Sequence, residues 1–234
     1  MKVRQFRYSL DNLGYLVCGD TSAIAVDGGA VADILSFLEN SGLNLLAVTN
    51  THGHRDHTSG NAQLMESTGA RYLPASELPD MGELRLDGSS LEIIHTPGHT
   101  GDSVCFRGDG FLLSGDTLFN GKVGRCFTGD TKTFFDSIEK LLTLPGDTAV
   151  YGGHDYVEEY MEFARTVEPS NAHIDRYLLN YHPEHVHATL EEERKVDPFL
   201  RLDQPSVVSF LKRRGFPAST RFQRFTSLLE WDRT

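Results

Sequence analysis

The sequence predicts a mixed α/β protein with a helical region after its strands, and three observations lead to this fold class. Short apolar runs bounded by Gly, Asp and Pro recur as far as residue 151, as is typical of buried strands. Segments with apolar residues at helical spacing lie between several of these runs, and from about Tyr156 the pattern is helical only. The 234 residues, 39% of them hydrophobic, are enough for one sizeable domain with a small appendage.

The predicted elements alternate from the start. Residues 15–17 and 23–26 are apolar runs separated by turn residues, which predicts a hairpin. A helix that ends near Gly42 is indicated by the i, i+3, i+4, i+7 spacing of Val31, Ile34, Leu35 and Leu38. A buried strand over residues 45–48 and a second helix over 61–67 follow.

The alternation continues to residue 151 and then stops. Residues 91–94 predict a strand, and residues 103–106 and 111–113 predict a hairpin around Gly108-Asp109-Gly110. A helix over 134–142 and a strand over 149–151 complete this part. Helices without strands are then predicted over residues 156–167, 174–181, 189–195, 206–214 and 220–231.

Composition and charge exclude several classes of protein. No run approaches the ~20 apolar residues that a membrane span requires, and the first residues lack the apolar core of a signal peptide. The net charge of −11 argues against a nucleic-acid-binding surface. Three cysteines, an odd number far apart in sequence, favour a reducing compartment. We therefore expect a cytoplasmic protein, monomeric or weakly dimeric, without membrane or nucleic-acid partners.

A cluster of metal-ligand residues directly follows the strand over residues 45–48. His52, His54, Asp56 and His57 lie within six residues, and Gly53 allows the chain a tight path between them. Imidazole and carboxylate groups suit borderline divalent cations. Because one ion would leave some of these groups idle, we expect further ligands at other strand ends.

Three further candidate ligands, His99, Asp116 and His154, follow other predicted strands. Seven ligands with one shared carboxylate make two sets of four. Two ions about 3.5–4 Å apart, with a hydroxide between them, are a recurring hydrolytic device. Asp27, which ends a strand before Gly28-Gly29, is a candidate hydrogen-bond partner for one of the ligand histidines.

These motifs resemble those of a known superfamily. THGHRDHTSGN resembles the THxHxDHxxG signature of the metallo-β-lactamase superfamily, and TPGHT and SGDTLF resemble its next two motifs. TFFDSIEKLLTLPGDTAVYGGHDYVEEYMEFARTVEPSN is similar to the segment around the last metal histidine of glyoxalase II (hydroxyacylglutathione hydrolase). TLEEERKVDPFLR resembles the C-terminal hallmark of that family. The resemblance covers nearly the whole chain and is weakest over the last thirty residues.

The resemblance implies both a fold and a metal centre. The fold would be an αββα sandwich over residues 1–164, followed by a small helical substrate-binding domain over residues 165–234. Two divalent ions per chain are implied, zinc above all, with iron or manganese as alternatives. The implied ligands of the first ion are His52, His54, His99 and Asp116, and those of the second are Asp56, His57, Asp116 and His154.

The implied activity is hydrolysis of S-D-lactoylglutathione to D-lactate and glutathione, which is a step of methylglyoxal detoxification. A metal-bridging hydroxide would attack the thioester, with Asp56 and Asp116 in catalytic roles. A thiolate leaves without much help from a general acid, because the pKa of a thiol is only about 8.5.

The family also implies residues that hold the glutathione part of the substrate. Arg125, Phe127 and Tyr156 stand at its positions for a basic residue, a tyrosine and a second tyrosine, so that Phe127 lacks the hydroxyl group. The family's tail usually carries a Lys-Asp pair that contacts glutathione. The tail here reads RFQRFTSLLEWDRT, in which Arg221 or Arg224 could substitute for that lysine.

Other functions remain open at this point. A persulfide dioxygenase has a similar scaffold and would use one iron at His54, His99 and Asp116. A hydrolase of the same superfamily could act on a thioester of a different thiol. A metallo-nuclease is disfavoured by the acidic charge balance.

Overall fold

The computed structural model describes residues 1–233, whose strands form two sheets. The first sheet contains, in spatial order, β1 (Lys2–Tyr8), β2 (Asn12–Cys18), β3 (Ser22–Val26), β4 (Asn44–Thr49) and β5 (Arg71–Leu73). The second sheet contains, in spatial order, β11 (Ala188–Thr189), β10 (Ala149–Gly152), β9 (Phe111–Gly115), β8 (Val104–Gly108), β7 (Ser89–His95) and β6 (Glu83–Leu86).

The helices cover the sheets and form the end of the chain. Those of the first part are α1 (Val31–Ser41), α2 (Arg55–Thr58), α3 (Asn61–Thr68), α4 (Leu78–Met81) and α5 (Thr131–Leu141). Those of the last part are α6 (Val157–Val167), α7 (His173–Asn180), α8 (Leu190–Val196), α9 (Pro205–Arg213) and α10 (Arg221–Trp231). Within residues 1–233, no helix has the length and apolarity needed to cross a bilayer.

Both sheets are mixed, and their parallel pairs matter for the position of the site. β3, β4 and β5 run parallel to one another, as do β9 and β10, whereas the remaining neighbours are antiparallel. The carboxyl ends of parallel neighbours lie at the same edge of a sheet. The loops that follow these strands can therefore meet.

Side-chain alternation places a core on each face of both sheets, as expected from the two-residue period of a strand. In β3, Ile24 and Val26 belong to the core between the sheets, whereas Ala25 belongs to the core beneath α1 and α3. In β9, Leu113 belongs to the central core and Leu112 to the core beneath α5 and α10. The four layers are thus helix, sheet, sheet and helix, which confirms the predicted αββα sandwich.

The helices after residue 156 pack against the sandwich at two places. Val157 and Met161 of α6 extend the core between the sheets. Val207 and Phe210 of α9, with Phe225 of α10, join the core on the outer face of the second sheet. The helical region therefore shares its apolar cores with the sheets.

The predicted elements are all present, with ends that differ by a few residues, but four strands and the short helices α2 and α4 were missed. β1 is an edge strand in which exposed and partly buried positions alternate and only Phe6 is buried, so it lacks an apolar run. β5 is only three residues long, and β11, only two, is a strand within the region after residue 156 that was predicted to contain helices alone. β6 reads Glu-Leu-Arg-Leu, with two apolar residues separated by a charge.

Candidate metal centre

Four loops, each following a strand, meet at one edge of the sandwich and carry the seven predicted ligands. His52 and His54 follow β4, and Asp56 and His57 lie in the short helix α2 directly after them. The other three ligands follow strands of the second sheet: His99 after β7, Asp116 after β9 and His154 after β10. The backbone joins the sheets here, since the Val104 N–H donates to the Thr51 carbonyl at 2.8 Å.

The first group of ligands, the His52 set, consists of His52, His54, His99 and Asp116. Nδ1 of His54 lies 2.9 Å from Nε2 of His52 and 3.1 Å from Nε2 of His99. Oδ2 of Asp116 lies 3.5 Å from Nε2 of His99 and 4.0 Å from Nε2 of His52. The four donor atoms therefore face a common centre.

The second group, the His57 set, consists of Asp56, His57, His154 and the same Asp116. Nε2 of His57 lies 3.2 Å from Nε2 of His154, and Oδ2 of Asp56 lies 3.4 and 3.3 Å from these two nitrogens. Asp116 approaches His57 through Oδ1 at 3.4 Å and His154 through Oδ2 at 3.6 Å. The Asp116 carboxylate thus stands between the two sets.

These spacings fit bound cations better than hydrogen bonds. With zinc–nitrogen distances of about 2.05 Å, the donor atoms of a tetrahedral site lie about 3.3 Å apart. Nδ1 of His54 faces two other ring nitrogens, and one ring nitrogen carries one proton at most, so it cannot satisfy both by hydrogen bonding. A divalent ion at the centre of each set would satisfy all of the donors.

Asp116 gives an independent indication that a group is bound here. Its Oδ1 is buried and has no hydrogen-bond partner among the described residues, and an unsatisfied buried carboxylate oxygen is costly. Gly153 keeps the space open, since a Cβ at this position would lie 2.2 Å from that same oxygen. The residues present therefore fit the two-metal centre that the ligand pattern predicts.

Burial and neighbouring charges set the protonation of the ligands. Burial lowers the pKa of His52 to about 3 and also lowers that of His99, so both rings are neutral and have a free lone pair at neutral pH. Burial opposes the charged form of His57, but the Asp27 and Asp116 carboxylates outweigh it and raise the pKa of His57. The pKa of Asp116 stays well below its usual value despite burial, because His154 and His57 stabilise the carboxylate.

A layer of partners orients the ligand rings from behind. Oδ2 of Asp27 lies 3.0 Å from Nδ1 of His57, which confirms the predicted partner, and Asp27 is fully buried. Asp11 holds Nδ1 of His154 at 2.9 Å, and the Arg125 carbonyl holds Nδ1 of His99 at 2.9 Å. Each contact leaves the opposite ring nitrogen directed at the metal centre, which fixes its tautomer. Asp11 was not predicted, because no motif surrounds it.

A cavity of about 450 Å³ opens beside the His52 set. Its walls include three residues predicted to bind substrate, Arg125, Phe127 and Tyr156. The Phe127 ring is 62% exposed and packs edge-on against His54 and His99. The Tyr156 ring stacks on His154 with a centroid distance of 5.1 Å. The structure therefore brings these three side chains to the metal centre.

The structure does not bring Arg221 and Arg224 to this cavity. The Arg221 guanidinium forms ion pairs with Glu139 and Asp203. That of Arg224 pairs with Asp203 and donates to the Ala218 carbonyl at 3.0 Å. Both arginines connect α10 to neighbouring segments, and neither lines the cavity beside His99.

Three other charged residues, Lys122, Glu159 and Asp232, line the same cavity and were missed. Lys122 lies six residues after Asp116, and Asp232 directly follows α10. No motif marks either of them, and their 110-residue separation hides their contact in the sequence.

Comparisons with protein families match the two parts of the chain separately. The family described as metallo-beta-lactamase superfamily matches residues 10–92 and 82–154. The family described as hydroxyacylglutathione hydrolase C-terminus matches residues 155–231.

Individual relatives extend this likeness over most of the chain. A hydroxyacylglutathione hydrolase from Chromohalobacter salexigens is 34% identical over 225 residues, which cover 88% of this chain and 88% of that protein. Among solved structures, TTHA1623 in a di-iron-bound form is 26% identical, with a TM-score of 0.61 over 86% of this chain and 100% of that one. ETHE1 from Myxococcus xanthus is 22% identical, with a TM-score of 0.69 over 98% and 90% of the two chains, and shows the fold alone.

Proposed function

Because this chain belongs to the hydroxyacylglutathione hydrolases of the metallo-β-lactamase superfamily, we propose that it hydrolyses S-D-lactoylglutathione to D-lactate and glutathione. The observation that carries the proposal is the convergence of two four-ligand sets on one shared carboxylate, beside an open cavity. Water is the second substrate, and the products are one acid and one thiol.

The two sets would hold two divalent ions, one at the His52 set and one at the His57 set. When bound, such ions lower the pKa of water to about 7 and polarise a carbonyl group. We propose zinc as the main metal. Iron is the first alternative, since TTHA1623 is described in a di-iron-bound form, and manganese is the second.

The protein's own groups have three tasks in this reaction. Asp116 belongs to both sets, with Oδ2 near His99 and Oδ1 near His57, and Asp56, held by the Asn12 amide at 3.0 Å, completes the His57 set. Arg125 presents an exposed cation at the cavity for a carboxylate of the thiol part. Burial raises the pKa of Tyr156 to about 12, so its hydroxyl stays neutral and can donate a hydrogen bond to the substrate.

A thioester suits this cavity, because cleavage of its C–S bond needs no strong general acid. The thiolate leaves with a pKa of about 8.5, well below that of an alcohol. A single-iron dioxygenase would need only His54, His99 and Asp116. The complete second set, with donor spacings of 3.2 to 3.6 Å, favours the two-metal hydrolase.

We propose a cytoplasmic location and a division of labour along the chain. Three free, buried cysteines suit a reducing compartment. Residues 1–164 would carry the metal centre, and residues 165–234 would complete the substrate cavity, to which Asp232 already belongs.

The test is hydrolysis of S-D-lactoylglutathione by metal-loaded protein, followed as loss of thioester absorbance. We expect kcat/KM of at least about 10⁴ M⁻¹s⁻¹. Asp116→Ala removes the shared ligand, and this variant should lose both ions and the activity, whereas Asp136→Ala, at an exposed position of α5, should keep both. Full turnover by Asp116→Ala would refute the two-metal mechanism, and negligible turnover by the metal-loaded wild type would refute the substrate.

A further inference from the structure

Two residues that line the cavity but do not belong to either ligand set, Lys122 and Asp232, form an ion pair. Nζ of Lys122 lies 2.6 Å from Oδ1 of Asp232, and the two side chains are only 10% and 15% exposed. The ammonium also lies over the rings of Tyr160 and Phe163, 4.8 and 4.7 Å from their centroids. Lys122 is therefore a desolvated cation at the edge of a cavity that opens to solvent.

The position of this pair is unusual for a structural ion pair. A buried pair is often no more stabilising than apolar residues of the same volume, so burial alone does not account for its presence. Both partners border the space that a substrate would fill. Asp232 follows the last turn of α10. Its carboxylate presents to Lys122 the same group that a carboxylate of a ligand would present.

The charges around the cavity indicate what Lys122 could bind. Arg125, the other cation of the wall, forms no ion pair within the described part of the chain, whereas Lys122 is already neutralised. Three acidic side chains also line the wall: Asp116, which belongs to both ligand sets, Glu159 and Asp232. A ligand with two carboxylates could pair with both cations, and at Lys122 its carboxylate would meet Asp232, which already neutralises the ammonium.

On the basis of the proposed thioester hydrolysis, we propose that Lys122 is a specificity-determining cation for a carboxylate-bearing thiol and that Asp232 competes with this carboxylate. In the free protein, Asp232 occupies Lys122. When the ligand binds, its carboxylate takes the place of Asp232, which turns to solvent at the end of α10. Binding of an uncharged thiol leaves the pair intact.

A purely structural pair and a competing pair predict different effects of substitution. Each of Lys122→Gln and Asp232→Asn leaves a buried charge unpaired, so both should lower Tm. If Asp232 competes with the ligand, Lys122→Gln weakens binding of a carboxylate-bearing thiol, whereas Asp232→Asn strengthens it. A structural tie between α10 and the cavity would weaken binding in both variants or change it in neither.

The experiment measures binding of S-methylglutathione, which is not a thioester, by calorimetry with the full-length, metal-loaded protein. We expect Lys122→Gln to raise Kd about 10-fold, as for loss of a hydrogen bond to a charged group, and Asp232→Asn to lower it about threefold or more. The matched control is Lys195→Gln, which removes an exposed pair with Glu191 and should leave Kd unchanged.

Kinetics supply a second measurement. Lys122→Gln should lower, about 10-fold, the ratio of kcat/KM for S-D-lactoylglutathione to that for an uncharged thioester such as S-acetyl-N-acetylcysteamine. Equal Kd values in the wild type and both variants, or a rise in both, would overturn the inference even if the protein hydrolyses S-D-lactoylglutathione. Opposite shifts in Kd without any thioester hydrolysis would support this carboxylate site and refute the proposed reaction.

Discussion

Replacement of Asp27 by asparagine tests how the protein positions the His57 set, because it changes none of the four residues of that set. Asp27 is fully buried at the end of β3 and has a φ of +53°, a backbone conformation that Asp adopts more readily than most residues. Its carboxylate accepts hydrogen bonds from the Thr51 N–H at 2.8 Å and hydroxyl at 2.7 Å, and contacts Nδ1 of His57 at 3.0 Å. Asp27→Asn keeps the shape but removes the charge.

The size of the effect follows from these contacts. The Asp27–His57 contact determines which ring nitrogen of His57 faces the candidate metal centre. It also makes that nitrogen more basic and therefore a stronger ligand for a metal ion. Loss of such a partner typically lowers metal affinity about 10–100-fold, or about 1.4–2.7 kcal/mol. His52, His54 and His99 do not contact Asp27 through a hydrogen bond, so we expect the loss only at the His57 set.

The assay is a chelator titration of the metal-loaded protein, with metal content measured at each step. The control variant Asp109→Asn, an exposed substitution in the β8–β9 turn, should release its ions at the same chelator concentrations as the wild type. Asp27→Asn should release one ion at about 10–100-fold lower free chelator. Retention of both ions with wild-type affinity would show that Asp27 does not position His57.

Two further predictions concern substrate binding and pH. Arg125→Ala should raise KM about 10-fold with kcat unchanged, because it removes an interaction made equally in the ground and transition states. The control Arg221→Ala should leave KM unchanged, since Arg221 does not line the cavity. Equal effects of the two substitutions on KM would place Arg125 outside the substrate site. Burial raises the pKa of Glu193 to about 7 although the Asn120, Gly121 and Tyr177 donors oppose it. The folded protein therefore holds this proton between pH 4.5 and 7 while the unfolded chain releases it, and the contribution of Glu193 to stability falls as pH rises through this range. Relative to wild type, Glu193→Gln should gain about 2.5 kcal/mol between pH 5 and pH 8.5 in denaturant unfolding, and a constant difference across this range would contradict the raised pKa.

The Glu193 contacts also connect the helical region to the segment that follows Asp116. Glu193 in α8 accepts hydrogen bonds from the Asn120 amide at 2.9 Å and the Gly121 N–H at 2.7 Å. These residues lie between the proposed ligand Asp116 and the cavity residue Lys122. A buried carboxylate of the helical region thus holds the loop that joins the metal centre to the cavity.

The sequence by itself determined the local features of this protein. Apolar periodicity depends only on neighbouring residues, so the β2–β3 and β8–β9 hairpins and the helices after Tyr156 were predicted close to their observed bounds. The candidate ligand motif after β4 was recognisable because four side chains of types that bind metals lie within six residues. β1 was not predicted, because an edge strand with exposed charges carries no apolar run.

The tertiary structure alone decided which distant side chains meet. It placed Asp11 behind His154, 143 residues away, and paired Lys122 with Asp232 across 110 residues. It also directed Arg221 to Glu139 and Asp203 instead of the cavity. A charged residue carries no local signal of its partner, because its partner is set by how the sheets and helices pack. The sequence therefore identified the candidate ligands, whereas the packing of the two sheets and the helical region decided which groups orient them and line the cavity.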